Sequence, residues 1–353
     1  MKYILSIAAV FSAAVILSDP SAAAQAVGAS VFACLEVIIP SLFAFTVLSV
    51  YLQESGLYRV ALKPLTLPLS KLLRLDEELC AVFLLGNIGG YPVGARLLTS
   101  LVNQGRLSRK DAGRLLCCCY GSGPSFVISI AGVRVFGSAA VGAVIFAACF
   151  LSSLAVALLV CRRGGRIRLS PRTSECDLSA GCFISSVTGG ARVMFTVCAV
   201  IVGASAVTAV LDISGVSRAV TALLEMLGAG ANSGGIFPAL LEISCLRELK
   251  PTGAAVLPLT AALLSFGGVC VVMQVCALTA GKVPLKGFLL SRIPAAAISA
   301  AASLAALPLP EAAVQTSAPA AQPQLFSVNA GMSLCLLAMC GILLCTAQSR
   351  SPR

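Results

Sequence analysis

Four charged side chains sit inside apolar runs: Glu36, Arg96, Arg192 and Glu242. At the centre of a bilayer each costs at least ~2.5 kcal/mol on insertion scales, so each is expected to face a partner or a cavity. Glu36 and Arg192 occupy nearly equivalent places in two related halves and are expected to face each other or a shared cavity. The alternative is that Arg96 and Arg192 snorkel to an interface and meet no carboxylate. Glu242, in Pro238-Ala239-Leu240-Leu241-Glu242-Ile243-Ser244, precedes a glycine break and is the candidate coordinating carboxylate. Gln274, two helical turns past Gly267-Gly268, offers its amide to a polar ligand or to a neighbouring helix.

The second group of candidates is backbone. Asn87, Gly89, Gly90, Tyr91, Pro92 and Gly94 fall in the middle of an apolar stretch, echoed by Ser122-Gly123-Pro124-Ser125 and by Ser265-Phe266-Gly267-Gly268. Glycine costs helix stability and proline removes a donor, so uninterrupted helices there are improbable. Freed N–H and C=O groups are tolerated at membrane depth only where protein or a water-filled cavity shields them, which predicts re-entrant hairpins able to hold a solute. A single break reads equally as close helix packing. The set together favours a site.

Other chemistry is hard to build. The chain has no histidine, which removes the commonest metal ligand, the usual proton shuttle and the standard base of a hydrolytic triad. Its 16 cysteines lie in apolar runs (Cys34, Cys149, Cys198, Cys335, Cys340) or consecutively (Cys117, Cys118, Cys119), without paired CxxC spacing, and read as small packing residues. We therefore expect no enzyme activity, no metal and no cofactor.

These residues need elements to carry them. Of 353 residues 58% are hydrophobic and 11% charged, against roughly 25% charged in an average soluble domain. Mean hydropathy is +0.97. Several apolar stretches reach the ~20 residues that cross a bilayer, so the fold class is all-α, a polytopic transmembrane helical bundle. The net charge of +11 lies in short clusters between apolar segments, without interleaved aromatics, and fits loop charges that set topology rather than nucleic-acid binding. The densest cluster, Arg162, Arg163, Arg166, Arg168 and Arg172, is expected in a cytoplasmic linker, residues 162–180.

Residues 1–21 read as a first transmembrane helix, with a cleavable signal peptide as the alternative. An apolar segment from 22 to 52 is interrupted by Pro40 and is expected to kink. Residues 105–116 look amphipathic and suit the membrane interface. Val141–Val160, Ile184–Leu211 and Ala254–Ala280 read as spans, Pro294–Leu307 as a shorter apolar run, and 309–353 as a Pro/Ala/Gln-rich linker followed by a last span at Phe326–Cys345.

Residues 22–161 and 181–308 form two related halves. Leu52-Gln53-Glu54-Ser55-Gly56-Leu57-Tyr58-Arg59 aligns with Leu211-Asp212-Ile213-Ser214-Gly215-Val216-Ser217-Arg218, and Gly105–Lys110 with Gly281–Lys286. If the clusters at 59–74, 103–114 and 162–172 face the cytoplasm, the halves are inverted, although Lys282, Lys286 and Arg292 then fall on the outer side. Inverted repeats with discontinuous helices are a common plan of secondary transporters.

At these residues the chain resembles a known family. Ile38–Phe45 (IIPSLFAF), Gly90-Tyr91-Pro92-Val93-Gly94-Ala95-Arg96, Ser122-Gly123-Pro124-Ser125-Phe126, Leu241-Glu242-Ile243 and Ser265-Phe266-Gly267-Gly268 with Gln274 look like the sporulation integral membrane proteins of the YlbJ type. These belong to the nucleoside-recognition or Gate-domain group, with spore maturation proteins and the membrane part of ferrous-iron transporters. The resemblance covers roughly residues 25–305. It implies two Gate-like repeats, a bacterial spore former, a role in spore and cortex formation, and a fold related to concentrative nucleoside carriers. A multi-pass protein of the cell membrane, forespore or mother cell, is then expected, in contact with lipid, a small polar solute and a second copy of itself. Two functions compete: a permease-like carrier of that solute, and a non-transporting scaffold for spore-envelope assembly.

Overall fold

The structure, a computed structural model, describes residues 2–163, 165–170 and 176–305. The expected last span at 326–345, its linker and Arg172 lie outside the described residues. Among the described residues all regular structure is helical. Among the described residues four helical spans are long and apolar enough to cross a membrane, or five if a bent pair counts as one span.

α1 (Lys2–Ser18) meets α2 (Pro20–Ala33) at a bend of 101°. Asp19 makes the corner: its carboxylate accepts from Ala22 N at 3.0 Å, and Pro20 starts the new helix where its missing N–H costs nothing. The 1–21 segment is thus one arm of a bent pair rather than a straight span. A π-helical turn, Cys34–Ile38, leads into α3 (Ile39–Ser55) just before Pro40, absorbing the lost donor without a break. α3 ends at Gly56, φ 85°, and is followed by α4 (Tyr58–Ala61) and the amphipathic α5 (Lys63–Leu73).

α6 (Glu77–Ile88) and α7 (Tyr91–Asn103) form a hairpin that returns to its own side. Glu78, at its start, takes both Arg106 Nη1 (2.7 Å) and Nη2 (2.6 Å) from just past its end. The tip is Gly89-Gly90, with Gly90 at φ 96°, and the two arms touch at Gly86 and Gly94. Twelve residues rise about 18 Å, roughly half a membrane.

α8 (Arg109–Leu116) starts at the same end as the hairpin. The expectation that it lies at the interface is corrected: Ala112, Gly113, Leu115 and Leu116 are buried, and the helix points into the bundle. Residues 117–123 run without helix before α9 (Pro124–Phe126), which continues as a π-helical stretch, Val127–Val135. This broken span turns at Gly137 into α10 (Ala139–Arg163), which comes back to the first end, where Arg114 Nη2 donates to Val160 O and Gly165 O.

α11 (Ala180–Ile213) starts at the first end too, as Asp177 N donates to Ser55 O. Its 34 residues extend about 51 Å to the second end. There α12 (Val216–Met226), with no buried residue, lies on the surface. α13 (Ser233–Leu241) and a 3₁₀ segment, Ile243–Glu248, make a second hairpin: Lys250 N donates to Asn232 Oδ1 at 2.7 Å, joining its two feet, and Glu242 is its tip. α14 (Val256–Phe266) and α15 (Gly268–Thr279) form a second broken span of 24 residues, interrupted at Gly267 (φ 89°). α16 (Lys286–Leu304) closes the bundle and carries Pro294 within it, so the short run expected from Pro294 begins two turns earlier.

The two aligned segment pairs fare differently. Gly56 and Gly215 end α3 and α11 in the same left-handed conformation and sit at opposite ends of α11. Gly105–Lys110 and Gly281–Lys286, by contrast, lie side by side: Arg109 donates to Lys282 O (2.8 Å) and Gly281 O (2.6 Å), and Lys282 Nζ to Asn103 Oδ1 (2.7 Å). Those two segments are not counterparts across an inversion, and Lys282 joins the first-end cluster instead of the outer side.

Candidate functional site

The glycine breaks meet. A Cβ on Gly121 would stand 2.8 Å from Asn87 Cα, and one on Gly123 3.3 Å from Gly90 N, so the first broken span crosses the tip of the first hairpin. A Cβ on Gly267 would overlap Tyr120 Oη at 1.8 Å, and one on Gly268 would reach Leu240 O at 3.1 Å, so the second broken span touches both the first break and the second hairpin. A side chain at Gly121 or Gly267 would collide outright, and at Gly123 and Gly268 it would be tight as well as strained by a positive φ. Asn87, Gly90, Tyr91, Pro92, Gly94, Ser122, Pro124, Ser125, Ser265, Gly267 and Gly268 thus belong to one junction, with Glu242 at its edge.

Breaking a helix orphans the carbonyls of its last turn. At the end of α14 each finds a side chain: Tyr91 Oη donates to Leu264 O at 2.7 Å, Arg292 Nη1 to Ser265 O at 3.3 Å, and Tyr120 Oη to Phe266 O at 3.5 Å. At the end of α8, Arg292 Nη2 takes Cys117 O and Asn87 Nδ2 takes Cys118 O at 3.0 Å. The expected free carbonyls around a wet pocket are therefore already engaged, and the side chains that engage them come from other elements. Replacing Tyr91 by Phe is expected to cost about 1–3 kcal/mol, because Leu264 O is then left buried and unpaired; thermal unfolding of the two proteins in the same detergent measures it.

Arg292 was not among the residues singled out from sequence. It is 3% exposed, lies against the rings of both Tyr120 and Phe288 (4.5 and 4.9 Å to the centroids), and ties both breaks to α16. Its signal was periodicity: Phe288, Arg292, Ala295, Ser299 and Ser303 are the buried stripe of α16, at helical spacing. Beside it lies a small cavity lined by Asn87, Tyr120, Ser122, Ser152, Ser265 and Arg292 among others, with about 10 Å³ open to the centre of a water molecule, room for roughly one water. A wider space of about 890 Å³ opens at the first end, lined by Gln53, Glu54, Glu78, Gln104, Arg106 and Asp177 among others.

The remaining candidates divide. Glu242 is buried, but its carboxylate caps its own 3₁₀ turn, accepting from Ser244 N at 3.1 Å and from the Ser244 hydroxyl. Gln274 is buried and turns its amide nitrogen back along its own helix to Cys270 Sγ at 3.6 Å. Arg96 stands 3.8 Å from Glu54, contrary to snorkelling alone. The expected facing of Glu36 and Arg192 is corrected: both are exposed and no ion pair joins them among the described residues. The reason is register, since α11 buries Gly190, Val193, Met194 and Val197, and Arg192 falls outside that stripe. The described cysteines are free thiols, mostly buried, as packing residues should be.

Over 151 residues the chain is 31% identical to the sporulation integral membrane protein YlbJ of Bacillus subtilis (strain 168). The chain is similar to YlbJ. The stretch is 42% of this chain and 36% of YlbJ, so the match spans about a third of that relative's length. The similarity to YlbJ bears out the resemblance read from the motifs and agrees with a multi-pass helical membrane protein. No family model and no solved structure matches.

Proposed function

We propose that the chain is a permease-like carrier of a small polar solute that acts in spore formation, built from two inverted repeats. The observation that carries this reading is the pair of hairpins, one with its feet at each end of the bundle, whose tips lie against two broken spans. Such a junction has a role in alternating access that a plain packed bundle does not need: each hairpin is tied to one side and can part from the centre without moving the long spans. The space of about 890 Å³ opens at the first end beside the feet of the first hairpin, where Glu78 and Arg106 line it. The spore role, and with it a place in the forespore or mother-cell membrane, rests on what YlbJ is called; the apolar spans support a membrane location.

Purified protein in liposomes should take up a labelled polar solute faster than empty liposomes. Uptake equal to that of empty liposomes across nucleosides, dicarboxylates and small inorganic ions counts against the carrier. A scaffold without transport is the second reading, favoured by one observation: the orphaned carbonyls are all taken by side chains, as in a structure fixed in one state. If a spore former carrying Tyr91→Phe, Glu242→Gln and Gln274→Ala together sporulates normally, the scaffold reading stands.

A further inference from the structure

We propose that the cavity beside Arg292 binds a small anion, of chloride or formate size, and that small anions are the solute class of this junction; the second half rests on the carrier reading. Arg292 lies in the middle of α16, 3% exposed, and among the described residues no carboxylate stands within ion-pair distance of it. Its contacts are neutral: two carbonyls, the Ser291 hydroxyl at 3.0 Å and two aromatic faces. Carbonyl dipoles and ring faces stabilise a guanidinium, but they leave its whole charge uncompensated in a medium where an unpaired charge is costly.

Two further facts point to what is missing. Arg292 Nε is enclosed without a hydrogen-bond partner, Ser122 Oγ is enclosed with only the neutral Tyr91 hydroxyl near it, and both residues line the same cavity. The neighbouring polar groups are spent elsewhere: Asn87 Nδ2 on Phe83 O and Cys118 O, and Ser152 Oγ on Ala295 O at 2.6 Å. An idle cationic donor, a hydroxyl beside only a neutral phenol, and no acidic group in the lining call for an acceptor carrying negative charge. A water molecule satisfies the donors and leaves the charge standing; an anion does both. The N-terminal ends of α7 and α15 also start at this junction, adding partial positive charge. The volume sets the size, since room for about one water admits a halide or a one-carbon carboxylate and not a nucleoside.

The test is equilibrium dialysis of the full chain in nanodiscs against radiolabelled chloride, with formate as competitor and gluconate and uridine as controls. Saturable chloride binding displaced by formate alone is expected. Ser122→Ala should weaken it about tenfold, the worth of one hydrogen bond to a charged group. Arg292→Lys should weaken it as well, because the shorter donor set cannot hold both carbonyls and the anion. Ser122→Ala removes one oxygen and keeps the fold, so it decides the matter even where Arg292→Lys does not fold. Absence of saturable binding in the unaltered chain, or binding unchanged by Ser122→Ala, overturns the anion site. Liposome flux separates the two readings: anion binding without anion flux overturns the carrier alone, whereas uridine uptake without anion binding overturns the anion assignment and leaves the carrier.

Discussion

Gly94→Ala is expected to prevent the protein from reaching its folded state, the largest effect of any single methyl group in the bundle. The added carbon would stand 1.8 Å from Cys119 O and 2.9 Å from Cys119 C, and both are backbone atoms that no rotamer change can move. Overpacking of a flexible core costs about 1–3 kcal/mol, and a rigid backbone on both sides puts this case at or above the upper figure. Gly267→Ala should be comparably severe for two reasons at once: φ is 89°, which disfavours a side chain, and Tyr120 Oη lies 1.8 Å from the added carbon. Tyr120→Phe should relieve only part of that loss, because the ring carbon Cζ would still be 2.7 Å away. The control is Gly203→Ala in α11, where nothing lies within 4 Å and alanine should gain up to about 1 kcal/mol of helix propensity. The yield of monodisperse protein after detergent extraction, followed by thermal unfolding, reads all of them; wild-type behaviour of Gly94→Ala would mean that α7 and the 117–123 segment do not cross.

The second large effect concerns the feet of the first hairpin. Arg106→Ala is expected to destabilise the protein by about 3–5 kcal/mol, because it leaves the Glu78 carboxylate buried without its partner. Both side chains are mostly enclosed, 12% and 7% exposed, and the pair is bidentate at 2.7 and 2.6 Å. Asp111→Ala, which removes the partner of Arg114 within a single turn of α8, should cost less than about 1 kcal/mol, since both groups are more exposed (17% and 22%) and local. Chemical denaturation monitored by helical circular dichroism compares the two. Equal small losses would mean that the hairpin feet are not held together by this pair.

Much of this arrangement was legible because glycine and proline act locally. Gly90, Gly123 and Gly267 mark backbone conformations or close approaches that other residues resist, so a sequence containing them announces its breaks wherever they end up in space. The long spans at 139–163 and 180–213 were legible for an equally local reason, the length of the apolar run. What failed was pairing across the fold. Gly105 and Gly281 both follow the end of a helix in a left-handed turn, and that shared local geometry made neighbours look like symmetry mates. Arg292 looked like a loop charge because Pro294 seemed to start a helix, whereas the helix passes through the proline and carries the arginine on its buried stripe. Glu36 and Arg192 occupy nearly equivalent places in the two halves, but which face a residue takes depends on the 3.6-residue phase, and Arg192 is one position away from the buried Val193.

Side-chain capping was beyond the reach of the sequence for a different reason. Tyr91, Asn87 and Arg292 reach carbonyls 173, 31 and 175 positions away, and no spacing rule connects residues that only tertiary packing brings together.

The most direct measurement is sidedness of thiol labelling in a variant whose native cysteines have been replaced. Single cysteines at Lys71 and Gln104 flank the first hairpin, and at Leu227 and Thr252 the second; all four positions are exposed. With a membrane-impermeant reagent in sealed vesicles of known orientation, positions 71 and 104 should label from one side and 227 and 252 from the other. Labelling of 71 and 104 from opposite sides would make α6 and α7 a full crossing, and the meeting of hairpin tips with broken spans would then be wrong.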